Sequence, residues 1–334
     1  MATKRAKRSS STTISVGIVL GSGGILGSSF HAGVLHALNE TWAQDPRRVQ
    51  EILGTSAGSL TGALVAAGLS SDDLMRREQR LKLSASGKKV MNRVDASGSA
   101  TRRARPTFGF GLAQAPQLLW PALRRPGSVS PGTIAAGFLP RGQYSTAAIG
   151  ETVDAVLLGQ WPTEPRLRCV AVSLADGRRR IFSIADADTG ETNCSVTPGT
   201  AVAASCAVPG MYRPVVVGDS EFIDGATHSA NHVDAIGRHD VVIVSSPSTA
   251  TRGTTSLGPW SVARRSLATQ LKAEVRALGA DTDVIVIEPD QAMLDVMGTD
   301  PMAMSNRAGV AMAAYHAATE IFRARSNPLV KVTS

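Results

Sequence analysis

The chain has 334 residues, of which 43% are hydrophobic and 19% are charged, a composition typical of a globular protein with a large core. It has no run of 18 or more apolar residues, and its three cysteines (Cys169, Cys194 and Cys206) lack C-x-x-C spacing, so we expect no membrane span, disulfide framework or zinc site. The net charge of +8 is concentrated at the N-terminus and between residues 76 and 125, which indicates an anionic partner for those segments.

The first predicted element is a buried strand that leads into a glycine-rich loop. Residues 1–13 are basic and polar and predict a disordered tail. The apolar run from Ile14 to Leu20 is short for the core of a signal peptide and no A-x-A cleavage site follows it, so we interpret it as a strand. The loop Gly21-Ser22-Gly23-Gly24-Ile25-Leu26-Gly27 comes next, and apolar residues at helical spacing over 30–39 predict a helix.

The second pair of predicted elements surrounds a G-x-S-x-G motif, Gly54-Thr55-Ser56-Ala57-Gly58. A short strand is predicted over 50–53, and a helix rich in Ala and Leu over 57–67. In a nucleophile elbow the two glycines permit a strained strand-to-helix turn that presents the serine hydroxyl to substrate. The motif and its context therefore make Ser56 a candidate nucleophile.

Residues 84–145 differ in composition from the rest, with repeated Gly, Pro and Ser, and we interpret them as a flexible lid inserted into the domain. They overlap the basic segment 76–125, which holds twelve Lys or Arg against two acidic residues. One interpretation is a surface that meets anionic lipid headgroups while Phe108, Phe110 and Trp120 enter the interface; the other is a solvated stretch without a partner. No nucleic-acid-binding motif accompanies the charges, so nucleic acid is not an expected partner.

The remainder of the chain alternates between predicted strands and helices. The strands are predicted at 167–174, 180–184, 221–223, 240–245 and 283–288, and the helices at 147–158, 201–207, 262–278 and 302–325. The strand at 221–223 leads into Asp224-Gly225-Ala226, a third glycine-bearing motif, which offers a carboxylate. This alternation predicts a three-layer α/β/α fold with a mostly parallel central sheet, in a single domain over 14–330.

The three glycine-bearing motifs, in this order, resemble those of the patatin-like phospholipases. The run from Ser205 to Val215 is similar to the apolar A-x-P-G-x-x-x-P-V segment that precedes the aspartate of that family. Asn231 falls where the family often has an asparagine. The resemblance covers roughly residues 14–250 and implies the same α/β fold.

The resemblance implies a Ser-Asp dyad that acts without a metal or another cofactor. Ser56 would be the nucleophile and Asp224 the base, and the backbone N–H groups of Gly23 and Gly24 would form the oxyanion hole. An aspartate of ordinary pKa is a poor base for a serine hydroxyl, so we expect burial to raise the pKa of Asp224. Leu26 stands where the family usually has Arg or Lys, which leaves open how the loop is held. The supporting glycines of the motifs are Gly21, Gly27, Gly54, Gly58 and Gly225.

The implied function is hydrolysis of lipid carboxylic esters, of the phospholipase A or lysophospholipase type, through an acyl-serine intermediate. The expected substrate is a phospholipid or another lipid ester, and the expected surface partner is an anionic membrane met by residues 76–125. We expect a cytoplasmic protein that is peripheral at the membrane.

The histidines leave a second catalytic arrangement open. His228, His232 and His239 follow the aspartate motif in the order of ordinary α/β-hydrolases, so a Ser-His-Asp esterase is an alternative. None of the three lies in a distinctive motif. His31 and His36 fall on the helix after the glycine loop, where packing or solvent exposure is the simpler interpretation.

Two further alternatives concern the glycine loop and the activity itself. Strand, glycines and helix also open a dinucleotide-binding fold, but Leu26 replaces the third glycine, and Asp45, in a polar turn, is the one acid near the ribose position. A catalytically weak or inactive membrane-binding protein of the same fold is the other alternative.

Overall fold

Short runs of buried apolar residues form the strands of one mixed sheet. The computed structural model describes residues 14–97, 114–118, 129–185, 196–251, 253–254 and 259–329. Within these ranges eight strands join one sheet in the order β5-β6-β3-β2-β1-β7-β8, with β4 also paired to β3. The strands are β1 Val16–Leu20, β2 Glu51–Thr55, β3 Arg166–Ser173, β4 Arg179–Phe182, β5 Val215–Val217, β6 Ser220–Asp224, β7 Val241–Ser245 and β8 Asp283–Ile287.

Five neighbouring strands, β3, β2, β1, β7 and β8, pair in parallel, and the other three strands join the sheet through antiparallel pairs. β1 pairs in parallel with β2 and β7, β2 with β3, and β7 with β8. β4 and β6 are antiparallel to β3, and β5 is antiparallel to β6. The mostly parallel sheet predicted from the alternating pattern is therefore confirmed.

Helices cover the sheet and several begin at sequence signals for a helix start. Ser130 and Thr197 each cap a helix whose first residue is proline, with the hydroxyl accepting a backbone N–H from the first turn. The helices are α1 Gly24–Trp42, α2 Ala57–Ala66, α3 Ser71–Glu78, α4 Ala85–Ser97, α5 Pro131–Phe138, α6 Ala147–Leu157, α7 Pro198–Ser205, α8 Pro259–Ala277, α9 Gln291–Met297 and α10 Arg307–Ala324. Among the described helices, none combines the length and the hydropathy needed to cross a bilayer.

Alternate residues of each strand point to opposite faces of the sheet, and both faces are buried. Ile18 and Ile243 belong to a large core that includes side chains of α1, α2, α7 and α10. Val19 and Val244, one residue further along, belong to a second core with Leu271 of α8. Helices on both faces of a central sheet make the three-layer α/β/α arrangement that the sequence predicts.

Most predicted elements are present, with shifted ends. α1 begins at Gly24 rather than at residue 30, so the helix starts inside the glycine-rich loop. The predicted helix over 302–325 is shorter, because Asp300 to Asn306 form turns and a 3-10 helix before α10 begins at Arg307. Four helices (α3, α4, α5 and α9) and one strand (β5) were not predicted. β5 has three residues, α9 seven and α3 eight, too few to show a clear period, while α4 and α5 fall in the stretch interpreted as a lid.

The predicted insertion over 84–145 is described only in part. Residues 84–97, 114–118 and 129–145 are described, and Leu118 and Ala136 pack against Val172 and Ile223 of the sheet. The tail over 1–13 and the aromatic residues Phe108, Phe110 and Trp120 lie outside the described ranges. The lid therefore stays a prediction.

Candidate active site

Ser56 lies at a strained turn between β2 and α2. Its φ of 53° and ψ of −118° are in a region that residues other than glycine rarely adopt. A β-carbon on Gly58 would overlap the carbonyl oxygen of Leu20, so the first turn of α2 packs directly against the end of β1. This is the strand-turn-helix context of a nucleophile elbow. The side chain of Ser56 is 7% exposed.

β3 brings the ends of β2 and β6 together. β4 pairs with residues 169–172 of β3, β2 with 166–170 and β6 with 171–173. Because β2 and β6 each share residues of β3 with β4, both must lie on the edge of β3 opposite to β4. They occupy that edge end to end, with Thr55 facing Val170 and Asp224 facing Ala171. Ser56 and Asp224 therefore meet where the two strands end.

Asp224 has a buried carboxylate, and one of its two oxygens has no hydrogen-bond partner among the described residues. Its Oδ1 accepts the N–H of Ala226 at 2.8 Å, while Oδ2 makes no aligned hydrogen bond within the described part of the chain. Burial raises the pKa of Asp224 to about 6, the direction expected from the sequence. The nearby Ser56 hydroxyl and the Ala226 N–H favour the charged form and oppose this effect only in part.

The glycine-rich loop presents unpaired N–H groups at the start of α1. Gly23 is the cap of α1, and Gly24 has a φ of 63°, where a side chain would be strained. Neither N–H has a hydrogen-bond acceptor among the described residues, as expected for the first donors of a helix. A β-carbon on Gly27 would lie 3.4 Å from the β-carbon of Ala57, so the loop lies beside the Ser56 turn.

Leu26 is fully buried, and the loop is held by other residues. The N–H of Leu26 donates to the carbonyl oxygen of Pro301 at 3.0 Å, which ties the start of α1 to the segment before α10. On the other side, the ring of Pro247 lies against Gly23, and Ser248 donates its hydroxyl to the carbonyl oxygen of Ser22. The loop is thus supported from two sides without a basic residue at position 26.

Arg264 and His31 support the same loop from further away. Arg264 on α8 donates to the carbonyl oxygens of Pro247 and Thr249 at 2.9 and 3.0 Å. His31 is fully buried, and its Nε2 lies 2.8 Å from the carbonyl oxygen of Gly21, which requires a proton on Nε2. Its Nδ1 then accepts the hydroxyl of Ser245 at 2.7 Å, and burial lowers its pKa to about 4. The sequence interpretation of His31 as a packing residue missed these contacts.

Ser205 and Cys206 at the end of α7 complete the surroundings of Ser56. Ser205 accepts the backbone N–H of Ser56 at 2.9 Å and donates to the carbonyl oxygen of Val170 at 2.6 Å. Cys206 lies next to Ser56 and Asp224, and burial raises the pKa of its thiol to about 12. In the sequence these two residues contribute only to the family resemblance. No motif signals the contact of Ser205 with the turn.

Asn231 and Gly225 fill the space behind the two motifs. Asn231 is 1% exposed, and its Oδ1 occupies the position that a β-carbon on Gly21 would take. Gly225 lies against the carbonyl oxygen of Val170 and the methyl group of Thr55, which lets the chain after Asp224 turn close to β2. The asparagine and the aspartate motif thus contact the other two motifs.

All six histidines lie in the described part of the chain, and none of them hydrogen bonds with Ser56 or the carboxylate of Asp224. His232 donates from Nε2 to the carbonyl oxygen of Gly225 at 3.1 Å and stacks on His228. Burial lowers the pKa of His232 to about 3, which keeps it neutral. His239 lies 3.6 Å from Glu51, at the opposite end of β2 from Ser56.

The remaining predicted features lie away from this site or beyond the described residues. Within the basic segment, Arg76 pairs with Asp72, and Arg93 donates to the carbonyl oxygen of Val156. Asp45, the acid considered for a ribose, instead binds Arg47. In the described ranges, no cluster of three His, Cys, Asp or Glu side chains could hold a metal ion. The cations Arg102, Arg103, Arg105, Arg124 and Arg125 lie outside those ranges.

Comparison with known proteins identifies the family. The family model for patatin-like phospholipases matches residues 18–236, a span that includes all three glycine-bearing motifs. The match covers more than half of the chain, and the chain therefore belongs to the patatin-like phospholipase family, a family of lipid hydrolases. A comparison with curated proteins finds none that matches in sequence.

Solved structures that are similar to this chain include two bacterial proteins. VipD from Legionella pneumophila is 12% identical, with a TM-score of 0.45 over 93% of this chain and 67% of that chain. A chain of the heterodimeric ExoU–SpcU complex, from the type III secretion system of Pseudomonas aeruginosa, is 15% identical, with a TM-score of 0.38. That match covers 93% of this chain and 52% of the other, so the present chain spans about half of its length.

Proposed function

We propose that this protein hydrolyses carboxylic esters of lipids through an acyl intermediate on Ser56. The observation that carries the proposal is the junction on β3, where the end of β2 and the end of β6 bring Ser56 and Asp224 together. A hydroxyl at a strained elbow beside a buried carboxylate is an arrangement suited to nucleophilic catalysis. Membership of the patatin-like phospholipase family indicates phospholipids and lysophospholipids as the substrate class.

Asp224 is proposed as the general base. With a pKa of about 6 it is largely ionised at neutral pH, yet it is a stronger base than an exposed aspartate. Its Oδ1 is fixed by the N–H of Ala226, and Oδ2 is available to accept a proton. Both properties depend on burial of the carboxylate at the end of β6.

The oxyanion hole is proposed to consist of the N–H groups of Gly23 and Gly24. These donors have no acceptor among the described residues, and they lie at the positive end of the α1 dipole. Donors that are already oriented toward a developing negative charge lower the barrier, with each donor contributing about 3 kcal/mol. The contact of Pro247 with Gly23 and the hydrogen bond from Leu26 to Pro301 keep these donors in place.

The proposed reaction has two half-reactions. In the first, Ser56 Oγ attacks the ester carbonyl carbon as its proton passes to Asp224, and the carbonyl oxygen becomes negative beside Gly23 and Gly24. The tetrahedral intermediate then releases the alcohol, which takes the proton from Asp224, and leaves an acyl-serine. In the second, water attacks the acyl group, again giving its proton to Asp224, and the fatty acid leaves as Ser56 recovers its hydrogen.

Two rival nucleophile arrangements are less well supported. Cys206 also lies beside Asp224, but a thiol whose pKa is about 12 is protonated at neutral pH and is a weak nucleophile. A Ser-His-Asp triad requires a histidine between the serine and the aspartate. His232 is buried and follows Asp224 by eight residues, but its Nε2 is hydrogen bonded to the carbonyl oxygen of Gly225 instead.

We propose that the protein acts at a membrane surface, as a peripheral protein. Lipid esters occur in aggregates, so the enzyme must meet a lipid-water interface to reach them. The basic segment over 76–125 is proposed to add attraction to anionic headgroups, a contribution that salt would weaken.

The test is covalent labelling with a fluorophosphonate, read by intact mass, together with turnover of a short-chain nitrophenyl ester. We expect the native chain and Cys206→Ala to take one label, Ser56→Ala to take none, and Asp224→Asn to label far more slowly. Cys206 is the matched control because its thiol lies beside the Ser56 hydroxyl. Labelling of Ser56→Ala but not of Cys206→Ala would overturn the assignment of the nucleophile.

Absence of both labelling and turnover in the native chain would favour the alternative of an inactive lipid-binding protein. Labelling of Asp224→Asn at the native rate would leave Ser56 as nucleophile and remove Asp224 as its base. The same variants incubated with mixed lipids, and examined for an acyl adduct by mass, identify the acyl group that is transferred.

A further inference from the structure

Five large apolar side chains are exposed together next to the candidate active site. They are Phe138 (51% exposed), Leu139 (44%), Tyr144 (41%), Val208 (39%) and Met211 (37%). We call this surface the rim patch. Contiguous exposed apolar side chains on a folded protein mark a surface that contacts another molecule or a membrane.

The two segments that form the rim patch are bonded to each other. The N–H of Tyr144 donates to the carbonyl oxygen of Met211 at 3.1 Å, and the N–H of Arg213 donates to the carbonyl oxygen of Tyr144 at 2.9 Å. A methyl group of Leu139 lies 3.7 Å from the position that a β-carbon would take on Gly210. Residues 138–144 and 208–211 therefore form one continuous surface.

The rim patch continues directly into the site that contains Ser56. The N–H of Val208 donates to the carbonyl oxygen of Cys206 at 2.9 Å, and Cys206 lies beside Ser56. The N–H of Asp224 donates to the carbonyl oxygen of Ala207 at 3.0 Å. Val208, the first exposed residue of this segment, thus directly follows Ala207, whose carbonyl oxygen binds Asp224. Along the chain, Val208 is within about 10 Å of Cys206.

The patch is also fixed to the turn after Asp224. Ser130 and Thr133, at the start of α5, donate their hydroxyls to the carbonyl oxygen of Thr227 at 2.8 and 3.2 Å. α5 ends at Phe138, so the helix that starts at the aspartate turn delivers the first residue of the patch. Through α5, the position of the rim patch is therefore tied to the turn that follows the Asp224 carboxylate.

The charges around the patch indicate an apolar partner rather than a charged one. Arg141 is bonded through both guanidinium ends to the carboxylate of Glu221, at 2.6 and 2.7 Å, which neutralises both. Arg213 is exposed at the edge, and its side chain has no acidic partner within the described ranges. An apolar face with a cation at its edge fits the boundary between acyl chains and phosphate headgroups.

We propose that the rim patch docks the protein onto the surface of a lipid bilayer and delivers lipid esters to Ser56. This inference rests on the proposed function and names the surface through which that function reaches its substrate. The patch enters the apolar part of the interface, and Arg213 lies at the level of the phosphates. Binding of this kind depends on apolar burial and therefore persists at high salt, unlike binding through residues 76–125.

The test compares two variants that each place charge at exposed apolar positions. Leu139→Asp with Met211→Asp charges the rim patch, and Leu158→Asp is the control, because Leu158 is 67% exposed at the far end of α6. Binding to phosphatidylcholine vesicles is measured by sedimentation at low salt and at about 0.5 M NaCl. Far-UV circular dichroism and thermal unfolding check that each variant is folded.

We expect the rim variant to bind vesicles about tenfold more weakly than the native chain at both salt concentrations, and Leu158→Asp to bind like the native chain. In the rim variant, the rate of hydrolysis of vesicle lipid, divided by the rate on a monomeric nitrophenyl ester, should be about tenfold lower than in the native chain. Native-like vesicle binding by a folded rim variant, or no vesicle binding by the native chain, would overturn the proposal. Native binding that is lost at about 0.5 M NaCl would mean that burial of the rim patch does not drive docking, and would also overturn the proposal.

The two proposals fail separately in this design. If the native chain binds vesicles through the rim patch but cleaves neither vesicle lipid nor the monomeric ester, the docking surface stands and the hydrolase assignment falls. If both esters are cleaved and the rim variant cleaves vesicle lipid as well as the native chain does, the hydrolase stands and the rim patch does not dock.

Discussion

Ser205 accepts the backbone N–H of Ser56 at 2.9 Å, while its own hydrogen goes to the carbonyl oxygen of Val170 at 2.6 Å. One fully buried hydroxyl therefore connects the strained turn to the strand whose edge carries both β2 and β6. Because the turn has unfavourable backbone angles, the surrounding structure must hold it in place. Ser205 is one of the groups that do so.

Ser205→Ala should lower both stability and activity. The substitution leaves the N–H of Ser56 and the carbonyl of Val170 without a partner, at a cost of about 1–3 kcal/mol in the free energy of unfolding. We expect kcat on a monomeric ester to fall about tenfold, because the Ser56 turn is less well fixed. The measurements are denaturant unfolding and steady-state kinetics at a temperature where the variant is folded.

Ser70→Ala is the control for Ser205→Ala. Ser70 caps α3 by accepting the N–H of Asp73, so its loss costs about 1 kcal/mol at a site away from Ser56. It should reduce stability and leave kcat unchanged. If Ser205→Ala also leaves kcat unchanged, its hydroxyl contributes to the stability of the fold and not to the position of the nucleophile.

The activity should depend on pH through Asp224. A base must be deprotonated to accept the Ser56 proton, and burial raises the pKa of Asp224 to about 6. We expect kcat/KM for an uncharged ester to rise tenfold per pH unit below about pH 6 and to level off above it. The buried histidines His31 and His232, whose pKa values are lowered to about 4 and about 3, titrate outside this range. A midpoint near 4 would contradict a buried catalytic aspartate.

The same carboxylate should make the folded state less stable as the pH rises. Its pKa is about 6 in the folded protein, against an ordinary value of 3.8 for an exposed aspartate, so the folded state holds the proton more tightly. The stability that this proton contributes is present below about pH 4 and is lost as the pH rises through about 6. The difference corresponds to ~3 kcal/mol at alkaline pH.

Asp224→Asn tests this loss of stability. The amide is neutral at every pH and can still accept the N–H of Ala226. We expect the variant to unfold at higher denaturant concentration than the native chain at about pH 8, with the difference vanishing near pH 4. Equal stability of the two proteins at alkaline pH would mean that Asp224 is not a buried charge. Activity should be lost at every pH.

The sequence predicts the local parts of this site better than it predicts their supports. Gly54 and Gly58 around Ser56, and the apolar runs on either side, determine a turn within a few residues, so the motif is readable directly. The meeting of Ser56 with Asp224 depends instead on which edge of β3 receives β6. That choice is made by strand pairing between residues far apart in the chain, and no local pattern encodes it.

The contacts that hold the glycine-rich loop without a basic residue at position 26 could not be predicted, for the same reason. Leu26 is held by Pro301, and Gly23 is packed against Pro247, more than two hundred residues further along the chain. An arginine such as Arg264 on the polar side of a predicted helix looks like a solvated charge until its helix is placed. Only the tertiary fold shows that its guanidinium binds two backbone carbonyls.

Arg264 should affect catalysis without touching the substrate. Its guanidinium bonds the carbonyl oxygens of Pro247 and Thr249 at 2.9 and 3.0 Å, and the ring of Pro247 packs against Gly23. Arg264→Met keeps much of the apolar stem and removes both hydrogen bonds, each worth about 1.5–3 kcal/mol when the donor is charged. We expect kcat to fall about tenfold with KM little changed, because the oxyanion donors of the loop are less well oriented.

Arg265→Met is the matched control, since Arg265 is the next residue on the same helix and its side chain is exposed. It removes the same charge from α8 and should leave kcat, KM and stability close to those of the native chain. Both hydrogen bonds come from Nη1 of Arg264. A lysine keeps the charge and has three donors on Nζ but a shorter side chain, so Arg264→Lys should give an intermediate kcat. If Arg264→Met and Arg265→Met have equal kcat values, the loop at Pro247 does not need its arginine, and the orientation of Gly23 is set by the contacts at Ser248 and Pro301 alone.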